Sequence, residues 1–203
     1  INDSILSCDN RRAKIIGNFG VGFNNIDIES AKRNNIVVTN TPEVLTDCTA
    51  DIAMLLMLGV ARRASEGEKH VREKEWAGWR PTHMMGTKVT GKTLGLVGMG
   101  RIAQAMAKKS HFGFGMKIIY FDPYFQDKKI AANFSAESCS SLDELLKKSD
   151  FVSLHCPSTP ETRGIINSES IKLMKKSAYL INTARGDIVN ENELIDCLDK
   201  NII

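Results

Sequence analysis

The sequence predicts an α/β protein organised on a doubly wound parallel sheet, and three observations carry that prediction. Strand and helix patterns alternate along most of the 203 residues, the order that gives parallel strands joined by helical crossovers. Runs such as Asp150 to Cys156 (DFVSLHC) and Ala178 to Thr183 (AYLINT) are apolar almost throughout, which marks strands covered on both faces. Thr93 to Asp122 reads in order as strand, glycine turn, helix, strand and acid.

From the start of the chain, Ala13 to Phe19 (AKIIGNF) has a short strand pattern running into Gly20-Val21-Gly22. Asn25 to Asn34 follows as a helix with Asp27 and Glu29 in its early turns, where acids suit the helix dipole. Ile36-Val37-Val38 is the next strand, and Thr41-Pro42 places a proline where the first turn of a helix accepts one. Glu43 to about Arg72 reads as one long helix. Between Ile52 and Ala61 it is apolar on nearly every face, which predicts burial on all sides, as a spine between domains or a subunit contact. Trp76 to Met85, with Trp79, Pro81 and His83, is irregular and aromatic. It reads either as an arm reaching a partner or as a loop folded onto its own domain.

Leu94 to Val97 is a strand, Arg101 to about Lys109 an amphipathic helix, and Met116 to Phe121 a second strand that Pro123 terminates. Ala131 to Phe134 is expected as a short strand. Ser141 followed by Glu144 has nearly the capping-box spacing and opens a helix to about Lys148. The strand Asp150 to Cys156 is bounded by Pro157; a helix over Ser168 to Lys176, the strand Ala178 to Thr183 and a helix over Asn190 to Lys200 complete the series.

A lone GxGxxG carries little information, but the same spacing between a strand and a helix, closed by an acid, has a mechanism. Gly98 makes the tight turn, and Gly100 lets backbone approach a pyrophosphate at the helix N-terminus, where unpaired N–H groups favour anions. Ala103 stands at the third glycine position. Asp122, placed to accept from the ribose hydroxyls of an adenosine, repels a 2′-phosphate, so the pattern predicts NAD rather than NADP. Gly20-Val21-Gly22 after a strand offers amide donors to an anion such as a substrate carboxylate, although a pair of glycines taken alone is more often just a turn.

Charged residues make up 25% and hydrophobic ones 42% of the chain, ordinary proportions for a globular protein. The net charge of +3 is spread over dispersed basic pairs such as Arg62-Arg63 and Lys147-Lys148, which argues against nucleic-acid binding. Cys8, Cys48, Cys139, Cys156 and Cys197 are odd in number and form no CxxC pair, a usage that suits reduced thiols and suggests neither metal nor disulfide chemistry. The apolar run Ile52 to Ala61 is about half a membrane span. With no signal peptide at the start, the expected location is cytoplasmic, with no membrane partner. The chain opens at Ile1 and closes on Ile202-Ile203 as an internal piece of a longer protein would.

Several separated motifs together resemble the D-isomer-specific 2-hydroxyacid dehydrogenases, and more closely their glyoxylate and hydroxypyruvate reductase branch. They are Gly20-Val21-Gly22 before Asn25-Ile26-Asp27, the Thr41-Pro42 to Arg63 helix, Gly91-Lys92-Thr93, the dinucleotide fingerprint, Leu154-His155-Cys156-Pro157 with Thr162, and Asn182-Thr183-Ala184-Arg185-Gly186. The resemblance implies a Rossmann NAD-binding domain over 43–203, incomplete at its end, and over 1–42 the last part of a flavodoxin-like substrate domain. It implies that Val21 and Gly22 present N–H groups to a substrate carboxylate. Thr49, Thr183 and Ala184 would face the nicotinamide side of the cofactor, Arg101 and Ile102 the pyrophosphate, and Asp122 the ribose. His155, Pro157 and Thr162 would line the adenosine side. Arg185 would be the catalytic arginine, binding the carboxylate and polarising the keto oxygen; its planar fork of donors suits the task.

The implied reaction is NAD(H)-dependent reduction of a small 2-keto acid, glyoxylate or hydroxypyruvate, by a homodimer. The alternatives are 3-phosphoglycerate or D-lactate dehydrogenase of the same family, or an NAD-sensing corepressor-like binding protein. Asn24 stands where many relatives carry Asp, and the family's acid–base histidine and glutamate match no residue here, so they are expected downstream of Ile203. His155 is given no acid–base role: it either lines the cofactor wall or is simply packed at a strand end.

Overall fold

The computed structural model describes residues 1–203, and the chain falls into two compact units, Ile1–Asp47 and Cys48–Ile203. In the first, β1 (Ile15–Gly17) pairs in parallel with β2 (Val37–Thr39), Ile15 opposite Val37 and Gly17 opposite Thr39. A one-turn helix, α1 (Asp3–Leu6), precedes them and was not foreseen, because four residues carry too little periodicity to show. Between the strands runs α2 (Ile28–Arg33), which starts three residues later than the pattern suggested. The Asp27 carboxylate fixes that start as an N-cap, accepting from the Ser30 N–H at 2.8 Å. Leu6, Ala31 and Ile36 form the small core of this unit.

The long helix expected over Glu43 to Arg72 is two helices, α3 (Thr46–Ala61) and α4 (Ala64–Arg72). Arg63 adopts a left-handed backbone, φ 57°, and the Ala61 carbonyl leaves the helical ladder to accept from Thr87 N–H at 2.7 Å. A tertiary contact breaks a helix whose local sequence contains no breaker. Within the single chain, Ala50, Ala53, Met54, Met57 and Ala61 of α3 are buried, whereas Ile52, Leu55, Leu56 and Val60 face outward, Leu55 63% exposed. The core of the unit takes one face of the helix, and hydrophobicity alone does not say which. The aromatic segment after α4 folds back on it, with the His83 and His70 rings 5.1 Å apart.

The second unit carries a five-stranded parallel sheet. Its elements are β3 (Thr93–Val97), α5 (Arg101–Phe114), β4 (Lys117–Phe121), α6 (Lys128–Ala132), β5 (Glu137–Ser138), α7 (Leu142–Lys148), β6 (Phe151–Leu154), α8 (Ser168–Lys172), β7 (Tyr179–Asn182) and α9 (Glu191–Asp199). The strand order is β5-β4-β3-β6-β7, so the chain builds outward from β3 in one direction and then returns to its other side. The strand expected over Ala131 to Phe134 is instead the end of α6 and the turn after it, and the edge strand is Glu137–Ser138. Asp127 caps α6 through the Lys129 and Ile130 amides, and the buried pair Ala131 and Phe134 has helical rather than alternating spacing.

Helices cover both faces. On one, Leu94, Leu96, Ile118, Tyr120 and Phe151 pack against Met54 and Met57 of α3 and against Ala103, Met106 and Ala107 of α5. On the other, Val97, Ile119, Val152 and Leu154 meet Leu145 and Leu146 of α7 and Ile171 of α8. Successive residues of one strand thus enter opposite cores, the reason these strands read as continuous apolar runs. The Ser141 hydroxyl accepts from the Glu144 N–H at 3.2 Å as the capping pattern required, while Glu144 turns back to the Ser140 amide. No helix is long and apolar enough to cross a membrane.

Candidate functional site

Strand order reverses between β3 and β6, and ligands of open parallel sheets bind outside the carboxyl ends of the strands at such a point. A cavity of about 590 Å³ lies there, and Gly98, Gly100, Asp122, His155, Pro157 and Thr162 are all among its lining residues. Gly98 leaves β3 with φ +90°, and a methyl group on it would lie 2.8 Å from the Cys156 amide nitrogen. Both facts demand glycine there. Gly100, the N-cap of α5, has an ordinary φ of −69°, no side-chain cap and open space where a Cβ would project. No neighbouring atom of the chain requires glycine at that position, which lies on the cavity lining. The first-turn amides behind it, at Arg101 and Ile102, open a helix of 14 residues whose dipole favours an anion.

Asp122 is already bound to the loop it faces. Its Oδ2 accepts from the Met99 N–H at 2.8 Å, and Oδ1 accepts from the N–H groups of Tyr124 and Phe125 at 2.9 and 3.1 Å. The carboxylate holds the glycine turn in place and still has acceptor capacity toward the cavity. On the β6 side, the His155 N–H donates to Val97 O at 2.8 Å, and the ring Nε2 lies 2.9 Å from Ser153 Oγ and 3.3 Å from Met106 Sδ. Burial pushes the imidazole down to about 4, so His155 is neutral near pH 7 and fills the wall. Burial likewise raises the neighbouring Cys156 thiol, with the Asp122 charge adding to the effect. Thr162 accepts from Thr159 N–H at 2.8 Å and donates to Pro157 O at 2.6 Å, which folds the following loop into a rim.

Thr183, Ala184 and Arg185 follow β7 at the same carboxyl edge of the sheet, outside the cavity lining. The Thr183 hydroxyl is buried and has no hydrogen-bond partner, a donor and acceptor waiting for a polar group. One Arg185 hydrogen bond runs from Nη1 to Ala184 O at 2.8 Å. Thr49 lies in the first turns of α3, also outside the lining. In the separate first unit, the Gly20 and Gly22 carbonyls accept from the Asn18 side chain and the Val21 carbonyl from Asn40. The Val21 and Gly22 N–H groups donate to no atom of the chain.

Several residues here were not singled out from the sequence. Pro123, Tyr124, Thr159 and Glu161 complete the cavity wall; their only local signal was adjacency to Asp122 and Thr162. Asn18, Asn40 and Asn182 shape loops through side-chain amides, a role that spacing alone does not reveal.

A parallel sheet of this order, with a glycine turn at its switch point and an acid ending the next strand, defines a dinucleotide-binding domain. The buried Thr183 hydroxyl and the open space at Gly100 fit such a ligand. Comparison with known proteins takes the step from class to family: residues 54–203 match the NAD binding domain of the D-isomer specific 2-hydroxyacid dehydrogenases, and the chain belongs to that family. It is 48% identical over 194 residues to a glyoxylate reductase of Thermococcus litoralis, covering 92% of this chain and 57% of that protein. With a glycerate dehydrogenase of Hyphomicrobium methylovorum it shares 47% over 182 residues, 90% of this chain and 56% of the relative. Among solved structures, a glyoxylate reductase from Paecilomyes thermophila superposes with a TM-score of 0.87 at 33% identity, over 99% of this chain and 59% of the other. The holo form of Rhodotorula graminis D-mandelate dehydrogenase gives 0.88 at 28% identity, over 100% and 60%. The chain thus spans a little over half the length of the relatives it matches.

Proposed function

We propose that the full-length protein reduces a small 2-keto acid, glyoxylate or hydroxypyruvate, to the D-2-hydroxy acid with NADH. The cavity at the switch point, with Gly98, Gly100 and Asp122 on one wall, carries the cofactor half of this reading. Similarity to a glyoxylate reductase and a glycerate dehydrogenase supports the substrate half. Residues 1–42 would then be the last part of a substrate domain and 43–203 the cofactor domain, within a cytoplasmic homodimer.

In this reading the amides of Arg101 and Ile102 face the pyrophosphate, Asp122 the ribose, His155, Pro157 and Thr162 the adenosine, and Thr49, Thr183 and Ala184 the nicotinamide. Two carboxylates, Asp122 and Glu161, line the cavity without any Lys or Arg, which supports NAD over NADP because a 2′-phosphate would meet only like charge. When bound, the reduced cofactor supplies the hydride. The amides of Val21 and Gly22 bind the substrate carboxylate, and Arg185 binds it too and draws electron density onto the keto oxygen. His155, buried and neutral, does not deliver the proton to that oxygen. NADH oxidation by the full-length protein, assayed with glyoxylate, hydroxypyruvate and pyruvate and repeated with NADPH, tests the reading. Turnover with none of the three acids, or a preference for NADPH, would overturn it.

A further inference from the structure

Asn182, the last residue of β7, closes a bracket around the arginine loop. Its Oδ1 accepts from the Ala184 N–H at 2.9 Å while its Nδ2 donates to the Arg185 carbonyl at 2.8 Å. One side chain thus holds the Thr183–Ala184 peptide through its N–H and the Arg185–Gly186 peptide through its carbonyl, bracketing the three residues between the strand and the turn at Gly186. Only an amide of this length can do so: an acid lacks the donor, and a glutamine end would sit one methylene too far out. Asn182 is itself fixed by the sheet, opposite Leu154 of β6. The bracket therefore refers the loop to the rigid part of the domain.

The guanidinium hangs from that backbone on a four-bond side chain, so its direction depends on where the Arg185 peptide is held. An error of about 1 Å in a substrate-binding group can cost about a hundredfold in rate. We infer that Asn182 is a positioning residue for Arg185, clamping the loop so that the guanidinium meets the 2-keto acid. The inference rests on the reading of Arg185 given above. It goes beyond that reading in placing the specificity of the loop in the amide of Asn182.

The test uses the full-length protein with Asn182→Ala, which removes both hydrogen bonds, and Asn182→Asp, which keeps the acceptor and sets a carboxylate against the Arg185 carbonyl. Three quantities are read: kcat and KM for glyoxylate, the Kd of oxamate for the NADH complex, and the Kd of NADH from its fluorescence. A positioning role gives at least a tenfold loss in kcat/KM and a tenfold weaker oxamate in both variants, with the Kd of NADH within twofold of the parent. Keto-acid kinetics unchanged in either folded variant would overturn the inference, as would an equal loss in NADH binding, the mark of general structural damage. If Asn182→Ala fails to fold, Asn182→Asp alone decides by the same criteria. Arg185→Lys is measured alongside: parental kinetics and oxamate binding in that variant would instead remove the role of Arg185.

Discussion

The Met99 N–H donates to Asp122 Oδ2 at 2.8 Å, so the acid at the end of one strand pins the glycine turn at the end of its neighbour. A carboxylate with three backbone donors is structural before any ligand arrives. Asp122→Ala is expected to lower stability by about 1–3 kcal/mol, the cost of leaving such donors unpaired. The same change should weaken NADH use and narrow the gap to NADPH. Thermal melts and the ratio of kcat/KM for the two cofactors check both halves, and an unchanged ratio would count against contact with the ribose.

Gly98 and Gly100 are two residues apart and should behave differently. Gly98→Ala places a methyl 2.8 Å from Cys156 N on a backbone with φ +90°, and a loss of roughly 2–4 kcal/mol is expected from clash and strain together. Gly100→Ala meets no atom within 4 Å and should cost less than about 1 kcal/mol, the difference between Gly and Ala at an N-cap. NADH affinity should nevertheless fall in the second variant. Urea unfolding and fluorescence titration of both variants separate the two effects; normal NADH binding by Gly100→Ala would remove the pyrophosphate from that position.

Stability should fall as pH drops from about 6.5 to about 4, because His155 is held near 4 in the folded chain and returns to about 6.5 on unfolding. Within that window the unfolded chain binds a proton that the folded chain does not, so acid favours unfolding; above it the term is constant. The full effect is up to about 3 kcal/mol. His155→Gln should flatten this part of the curve, read as the difference between the two proteins in urea melts over a pH series. Parallel curves would mean that the imidazole protonates without penalty.

Arg185→Lys in the full-length protein keeps the charge and loses the planar fork. A fall in kcat/KM of about a hundredfold or more is expected, in line with loss of a donor to a developing oxyanion. NADH binding should be almost untouched. Steady-state kinetics with glyoxylate check the first and fluorescence titration the second, and near-parental kcat/KM would sink the assignment.

Much of the fold was legible because periodicity and burial coincide in a doubly covered sheet. Phe151 to Leu154 are buried throughout, as their continuous apolar run required, while the edge strand Tyr179 to Asn182 is only partly covered. The helix cap at Ser141 could be found because a cap acts within three residues of itself. The glycine turn and its acid were readable for a similar reason: their spacing along the chain is itself the mechanism.

What the chain could not announce depends on partners distant in sequence. Thr87 takes the Ala61 carbonyl from 26 residues away and splits a helix that local propensity would continue. Only packing selects Met57 for the core and leaves Leu55 outside it, since hydrophobicity says that a residue can be buried and not which face the sheet will cover. The sequence by itself determined the class of sheet and the spacing of the glycine turn and its acid, both carried by short-range pattern, while the arginine loop was indicated only through resemblance to a family motif. Tertiary structure alone decided that Asp122 is bound to Met99, that His155 is buried and uncharged, and that Asn182 brackets Arg185, because hydrogen-bond geometry and desolvation exist only once separate strands have been brought side by side.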